Sequence, residues 1–264
     1  MSTALQTLPM PGPAVRVCLL GRFEILKHGT PIPLRPGGKV EQLVGILAMH
    51  RRGGIRREAL IDVVWPDIDS DLAGSSLNSL AHGLKQQLCD ALGGGSPVRN
   101  RGGRYSLALS GDLSLDIVEF EQLVELGRRC TSAGDFNAAV RAYDEALEIY
   151  AGDLTSGSDI LFLLERERLR GHYLSIMASL AEHSYELRDY QLSLRHALAL
   201  LYADPCREDA HRLVMRSYLR NGQRAQALRH FDLCRNILRR EFDAVPELAT
   251  RTLFEAIRTQ PDSV

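Results

Sequence analysis

The sequence predicts a mainly α-helical protein with a small β part, organised in two domains. Short runs that alternate apolar and polar residues, as half-buried strands do, occur at the start of the chain and around the Gly102–Gly103 pair. Elsewhere, apolar residues recur at helical spacing. The charge changes sign along the chain: 13 Lys and Arg against 8 Asp and Glu through Ser110 give +5, and 19 against 25 from Gly111 onward give −6. A basic part joined to an acidic part indicates a nucleic-acid-binding module attached to a second module.

Length and composition fit a two-domain protein of the cytoplasm. The 264 residues are 45% hydrophobic and 25% charged, which is enough for two buried cores. The chain has an odd number of cysteines, five, and none of them form a Cys-x-x-Cys pair. This pattern predicts reduced thiols rather than disulfides. Residues 1–14 lack Lys and Arg and predict a flexible tail rather than a signal peptide. No window approaches the ~20 apolar residues of a membrane span, so we expect no membrane partner.

The sequence contains no motif typical of an enzyme. A phosphate-binding loop and a dinucleotide-binding glycine pattern are both missing. None of the eight histidines lies at metal-ligand spacing from another His or from Cys. We therefore expect no enzymatic activity, no cofactor and no metal. Four histidines are expected on helix surfaces: His172, His183, His196 and His211.

The first predicted domain, residues 15–110, orders its elements as strands, helices and a hairpin. Strands are predicted at residues 15–20, 23–27 and 30–34, and helices at 39–50, 56–65 and 75–88. The last two helices are separated by an acidic loop, residues 67–71, with three carboxylates: Asp67, Asp69 and Asp71. This order is that of a winged helix-turn-helix, in which a helix and a basic hairpin contact DNA.

The helix over residues 75–88 and the hairpin that follows contain the candidate DNA-binding side chains. One helix face is apolar: Leu77, Leu80, Ala81, Leu84 and Leu88. The other face has groups that suit base edges and phosphates: Ser75, Asn78, Ser79, His82, Lys85 and Gln86. In the hairpin, Arg99, Arg101 and Arg104 flank the Gly102–Gly103 turn, which indicates an anion-binding surface. For the helix taken alone, a solvated polar face is the alternative.

The second predicted domain, residues 111–260, contains three similar segments that begin at Gly134, Arg188 and Gly222. The last two begin 34 residues apart, the period of tetratricopeptide repeats, and the first two begin 54 apart, which adds an insertion of 20. Such helix pairs stack into an array because no pair buries its apolar face alone. A plain helical bundle is the alternative. For three tyrosines, a repeat core and a ligand groove both stay open: Tyr143, Tyr185 and Tyr190.

Both halves together resemble the Streptomyces antibiotic regulatory protein family, which joins an OmpR-type winged helix to a bacterial transcriptional activation domain. The resemblance covers about residues 15–259. It rests on the order of several stretches rather than on one diagnostic motif: residues 57–65, 102–107, 115–116, 120–123, 165–169, 238–242 and 245–248.

The resemblance implies a transcriptional activator of the bacterial cytoplasm and nucleoid. It implies binding to direct-repeat promoter DNA, with a homodimer on DNA as one arrangement, and contact with RNA polymerase through its sigma and alpha subunits. The helix over residues 75–88 is then expected in the major groove and the hairpin at the neighbouring minor groove. Arg56 and Arg57, at a helix N-terminus, are expected at phosphates. The acidic side chains Asp67, Asp69 and Asp71 are expected to contact polymerase, with a solvated turn as the alternative.

The sequence departs from the family in the late part of its recognition helix. Arginines are usual there, and this chain has Gly83, Lys85 and Gln86. Of these only Lys85 is charged, and Gly83 costs about 1 kcal/mol in helix propensity relative to Ala. Fewer cations neutralise fewer phosphates. A second hypothesis is therefore a protein-interaction adaptor whose winged helix no longer binds DNA strongly.

Overall fold

The computed structural model describes residues 13–155, 157 and 160–264. The chain forms two compact units: one comprises residues through Leu126 together with Asp144–Leu169, and the other comprises Gly127–Tyr143 and Arg170–Val264. The first unit extends beyond Ser110, after which the sequence predicts the boundary between the two domains. That domain boundary stays a prediction. Of the predicted flexible tail, residues 1–12 lie outside the described residues.

The first unit contains a winged helix with two small sheets. Its first elements are β1 (Val15–Cys18), β2 (Glu24–Lys27), β3 (Thr30–Pro31), α1 (Lys39–Met49), β4 (Ile55–Arg56), α2 (Arg57–Val64), α3 (Ser70–Leu88), β5 (Val98–Arg101), β6 (Arg104–Leu107) and β7 (Leu113–Leu115). The sheets have the strand orders β3-β2-β1-β7 and β4-β6-β5. Strand β7 runs parallel to β1, and the other pairs are antiparallel. Helices α1, α2 and α3 pack together through buried leucines such as Leu47, Leu60 and Leu77.

The structure corrects several predicted boundaries in this unit. Helix α3 begins at Ser70 rather than at Ser75, so Asp71 lies in its first turn and not in a loop. The earlier start follows from Asp69, whose side chain accepts a hydrogen bond from the Asp71 N–H at 3.0 Å and caps the helix. Strands β4 and β7 were not predicted, because runs of two or three residues are too short to establish an alternation and their partners are distant in sequence.

A buried carboxylate joins the end of β1 to the start of α4 (Asp116–Ser132). Asp116 is 2% exposed. Its Oδ2 accepts the N–H groups of Leu19 at 2.6 Å and Leu20 at 2.8 Å, and its Oδ1 accepts the N–H of Ile117 at 2.8 Å. Burial raises the pKa of Asp116 to about 6, against the opposing effect of these three donors. Asp116 thus satisfies three backbone donors that the fold removes from water.

The second unit is a helical array. It contains parts of α4, α5 (Phe136–Ile149) and α6 (Ile160–Glu186), and then α7 (Tyr190–Ala203), α8 (Glu208–Arg220), α9 (Arg224–Phe242) and α10 (Leu248–Thr259). Helix α8 packs against α7 and α9, and α10 packs against α8 and α9. The three predicted similar segments begin at residues in the left-handed region, just before α5, α7 and α9: Gly134 (φ 79°), Arg188 (φ 62°) and Gly222 (φ 73°). The common turn supports the predicted repeat register.

Gly127 of α4 allows the close approach of Tyr143 of α5. A Cβ at Gly127 would lie 2.2 Å from Cε1 of Tyr143, whereas a Cβ at Gly171 of α6 would have no described residue from outside its own helical turn within 4 Å. We expect Gly127→Ala to lower the free energy of unfolding by about 1–3 kcal/mol, because the tyrosine must shift. Gly171→Ala should raise the free energy of unfolding by up to about 1 kcal/mol, because alanine favours the helix more than glycine does. Chemical unfolding followed by circular dichroism measures both, and equal effects of the two substitutions would contradict this packing.

The prediction that His211 lies on a helix surface is wrong. His211 is 1% exposed, and its Nδ1 lies 2.9 Å from Nε2 of His230, which is 7% exposed. The ring fits in the core because its Nε2 donates to the carbonyl oxygen of Pro205 at 2.9 Å, which leaves Nδ1 to accept from His230. Burial lowers the pKa of both imidazoles, that of His230 to about 4.

The second unit is expected to lose stability in mild acid. An unfolded His230 binds its proton near pH 6.5 and the folded residue only near pH 4, so the unfolded state binds more protons between these values. Stability therefore falls as the pH falls through this window, by about 3 kcal/mol at pH 4. Thermal unfolding of the wild type and of His230→Gln across this range measures the effect. A pH dependence as steep in the variant as in the wild type would show that His230 is not responsible.

Candidate nucleic-acid interface

Helix α3 presents all six predicted polar side chains to solvent. Its apolar side is buried, with Leu77, Leu84 and Leu88 at most 3% exposed. The opposite side consists of exposed residues: Ser75, Asn78, Ser79, His82, Lys85 and Gln86. The amphipathic helix is therefore confirmed, while the part that these side chains play in DNA binding stays a prediction.

Two residues of this exposed face are engaged with each other. Nε2 of His82 and Nε2 of Gln86 lie 2.9 Å apart, within hydrogen-bond distance. Lys85 is the one Lys or Arg of α3, and among the described residues outside its own helical turn none lies within 4 Å of a Cβ placed at Gly83. The face is therefore open and carries little charge.

Strands β5 and β6 form the predicted hairpin. Gly102 (φ 57°) and Gly103 (φ 78°) both adopt the left-handed region, as a type I′ turn requires. The buried side of the hairpin consists of Val98, Tyr105 and Leu107, each 7–8% exposed. The alternation of these residues with exposed ones fixes which side chains face solvent.

Strand β4 brings a fourth arginine onto the surface of the hairpin. Arg56 pairs with Arg104 across β4 and β6, and Arg104 pairs with Arg101 across β6 and β5. Because directly opposed residues point to the same side of a sheet, these three form one cross-strand row. Arg99, two positions before Arg101 on β5, lies on the same side. We call Arg56, Arg99, Arg101 and Arg104, all exposed, the arginine face.

The arginine face concentrates four positive charges on one side of a small sheet. Like charges directly opposite each other destabilise a sheet. Among the described residues, none of its four members forms an ion pair with a carboxylate. Arg104 Nη1 donates instead to the carbonyl oxygens of Gly53 at 3.4 Å and Gly54 at 3.2 Å. An anion from outside the chain would relieve the repulsion.

Arg57 is not part of the arginine face, although the family resemblance implies a phosphate contact for both Arg56 and Arg57. It is half-buried, and its N–H donates to the carbonyl oxygen of Gly103 at 3.0 Å. Its guanidinium packs against α3 at Gly74, where a Cβ would lie 2.6 Å from Nη2. Arg57 therefore connects the start of α2 to the hairpin turn and to α3, and it holds the two candidate elements in place. Nothing in the sequence indicated this contact, because the predicted helix began after Gly74, at Ser75.

The three acidic side chains near the start of α3 are exposed: Asp67 and Asp69 precede the helix, and Asp71 lies in its first turn. Asp69 also caps α3, so part of its role is structural. In the described part of the chain, no three metal-ligating side chains come together. No described helix is long and apolar enough to cross a membrane.

A winged helix with an arginine face, followed by a tetratricopeptide-like array, is the architecture of a transcriptional regulator. The family model described as bacterial transcriptional activator domain matches residues 115–258, more than half of the chain. The chain belongs to this family and is a regulator of the Streptomyces antibiotic regulatory protein type.

Regulatory proteins are also among the relatives that match nearly the whole length of the chain. The regulatory protein DnrI of Streptomyces peucetius is 25% identical over 92% of this chain and 92% of its own length. The transcriptional regulatory protein MoaR1 of Mycobacterium bovis is 24% identical over 94% of this chain and 80% of its own. Both relatives are regulatory proteins.

A solved structure shows the same fold. Mycobacterium tuberculosis EmbR, in complex with a low-affinity phosphopeptide, superposes with a TM-score of 0.73 at 20% identity. The match covers 94% of this chain and 65% of the EmbR chain, so EmbR extends beyond the part they share. The predicted fold class is confirmed.

Proposed function

We propose that the protein is a DNA-binding transcriptional activator that binds direct-repeat promoter DNA and recruits RNA polymerase. The arginine face is the observation that carries this proposal. Duplex DNA has one negative charge about every 1.7 Å along its axis, and the planar guanidinium fork matches phosphate geometry. Contacts of Arg56, Arg99, Arg101 and Arg104 with phosphates would supply affinity for any DNA sequence.

In this proposal α3 lies in the major groove and reads the sequence, while the hairpin lies toward the neighbouring minor groove. The Asn78 amide suits a bidentate contact with adenine, and Lys85 suits the acceptors of guanine. Ser75, Ser79, His82 and Gln86 offer further donors and acceptors to base edges or phosphates. Arg57 holds α3 and the hairpin in place in this proposal. Arg56, rather than Arg57, contacts a phosphate group of the DNA.

The Asn78→Ala variant is expected to relax sequence preference rather than abolish binding. Loss of a bidentate base contact removes about 1–3 kcal/mol of discrimination at one base pair. Competition binding with duplexes that differ at single positions measures this. The matched control is Asn137→Ala, a residue of α5 outside α3. A uniform loss of affinity for all duplexes would contradict a reading role for Asn78.

Contact with polymerase is the second part of the proposal. The exposed Asp67, Asp69 and Asp71 suit a basic surface on the sigma or alpha subunit, and the helical array of residues 111–260 supplies the activation domain that follows the winged helix of residues 15–110. Direct repeats would place two copies of the chain side by side on DNA as a homodimer. The protein would act in the cytoplasm, at the nucleoid.

One observation favours a second candidate, an adaptor that binds protein and has lost strong DNA binding. The exposed face of α3 carries only Lys85 as a permanent cation and contains Gly83. Copurification of a protein partner that survives mutation of the arginine face, together with no retention of promoter fragments at low salt, would favour the adaptor over the activator.

A further inference from the structure

A cavity within the second unit has no part in the proposed function. It lies between α4, α5 and α6 and measures about 180 Å³. Its lining includes Phe136, Tyr143, Glu182, His183 and Glu186. Pockets for drug-sized ligands measure ~300–1,000 Å³, so this one suits a much smaller group.

Two aromatic rings line this cavity, that of Phe136 at its exposed edge and that of Tyr143 in its buried part. The Phe136 ring is stacked on His183, with centroids 5.3 Å apart and planes 15° apart. Tyr143 is 6% exposed, and its ring lies against Gly127, which leaves no room for movement toward α4. The face of an aromatic ring attracts cations. Of the three tyrosines for which a ligand groove stayed open, Tyr143 lines a cavity, whereas Tyr185 lies under the guanidinium of Arg216 at 4.8 Å.

The aliphatic hydroxyl groups in the lining, those of Thr131 and Ser179, donate to backbone carbonyl oxygens of their own helices, and the other polar groups are two carboxylates, an imidazole and a phenol. Glu182 forms an ion pair with Arg216 at 3.1 Å, which neutralises it. Glu186 is exposed and has no ion pair within the described residues. Nδ1 of His183 is buried and has no hydrogen-bond partner in that same part of the chain. The cavity thus combines one exposed carboxylate without an ion pair, one ring nitrogen without a hydrogen-bond partner among the described residues, and two aromatic rings.

We propose that this cavity binds a small alkylammonium group. An ammonium has three N–H donors and no acceptor, so it can donate to His183 Nδ1 and be attracted by Glu186 at the same time. Its alkyl stem packs on Phe136 and Tyr143, whose ring faces add to the attraction. A carboxylate of the same size is repelled by Glu186, and a neutral alcohol gains no charge interaction. The ammonium can belong to a free amine or to a lysine side chain.

Titration of the full chain with n-butylammonium chloride tests this proposal by calorimetry, with sodium butyrate and butanol as matched probes. We expect saturable binding of butylammonium and none of the other two. Glu186→Gln should weaken it about five- to tenfold, because the negative charge is removed. The control Glu145→Gln, an exposed residue of α5 outside the cavity lining, should leave binding unchanged.

The source of the ammonium is identified by a second probe, the N-acetyl, N-methylamide derivative of lysine. Tighter binding of this derivative than of butylammonium indicates a polypeptide side chain, and weaker binding indicates a free amine. Equal binding of butylammonium and butyrate, no saturable binding of either amine, or an unchanged affinity in Glu186→Gln would overturn the proposal. DNA binding does not depend on this result, since the cavity lies outside the winged helix.

Discussion

Replacement of Arg99 and Arg101 together by Ala is expected to weaken binding to all DNA duplexes alike, by about ten- to a hundredfold at low salt. The reason is the loss of two charge-assisted contacts with phosphate. The slope of log affinity against log salt concentration should become shallower by about 2, since each lost contact releases roughly one fewer counterion. Fluorescence anisotropy with labelled duplexes at several salt concentrations gives both quantities.

The matched control for this double variant is Arg141→Ala with Arg195→Ala. These two arginines are exposed on α5 and α7, and their replacement removes the same net charge. If both double variants reduce affinity equally, the arginine face has no special role and only net charge matters. Arg104 is left unchanged in this experiment because it also bonds to the carbonyl groups of Gly53 and Gly54.

Replacement of Asp116 by Ala is expected to lower the free energy of unfolding of the first unit by about 3–5 kcal/mol. Three buried N–H groups, of Leu19, Leu20 and Ile117, would lose their acceptor, and each unsatisfied donor costs about 1–3 kcal/mol. Urea unfolding followed by fluorescence reports on this unit directly, because Trp65 of the winged helix is the chain's one tryptophan.

The matched control is Asp112→Ala, a nearby and exposed aspartate. We expect it to change stability by less than about 0.5 kcal/mol, as surface substitutions usually do. A loss in Asp116→Ala no larger than in Asp112→Ala would show that water satisfies the three donors and that the carboxylate is not a structural link.

Features that depend on neighbouring residues were predictable from the sequence. The apolar stripes of α1, α2 and α3, the glycine turn of the hairpin and the turns before α5, α7 and α9 are all local patterns. The family resemblance added the order of the two halves, which the relatives and the EmbR structure bear out.

Features that depend on partners distant in sequence were not predictable. Ile55 and Arg56 form a strand only because β6 lies beside them, and this pairing places Arg56 in the arginine face. His211 looked like a surface residue because its partner, His230, lies on the next helix. The same holds for Asp116, whose carboxylate accepts N–H groups almost a hundred residues earlier in the chain.

Selection from a random duplex library by the purified full chain shows whether the arginine face and α3 together bind specific DNA. We expect enrichment of two half-sites in the same orientation, spaced by about one helical turn of DNA. We also expect the Arg99→Ala, Arg101→Ala variant to recover the same sequences with lower yield. Failure to enrich any sequence at low salt, or equal yields for the variant and the wild type, would contradict this expectation.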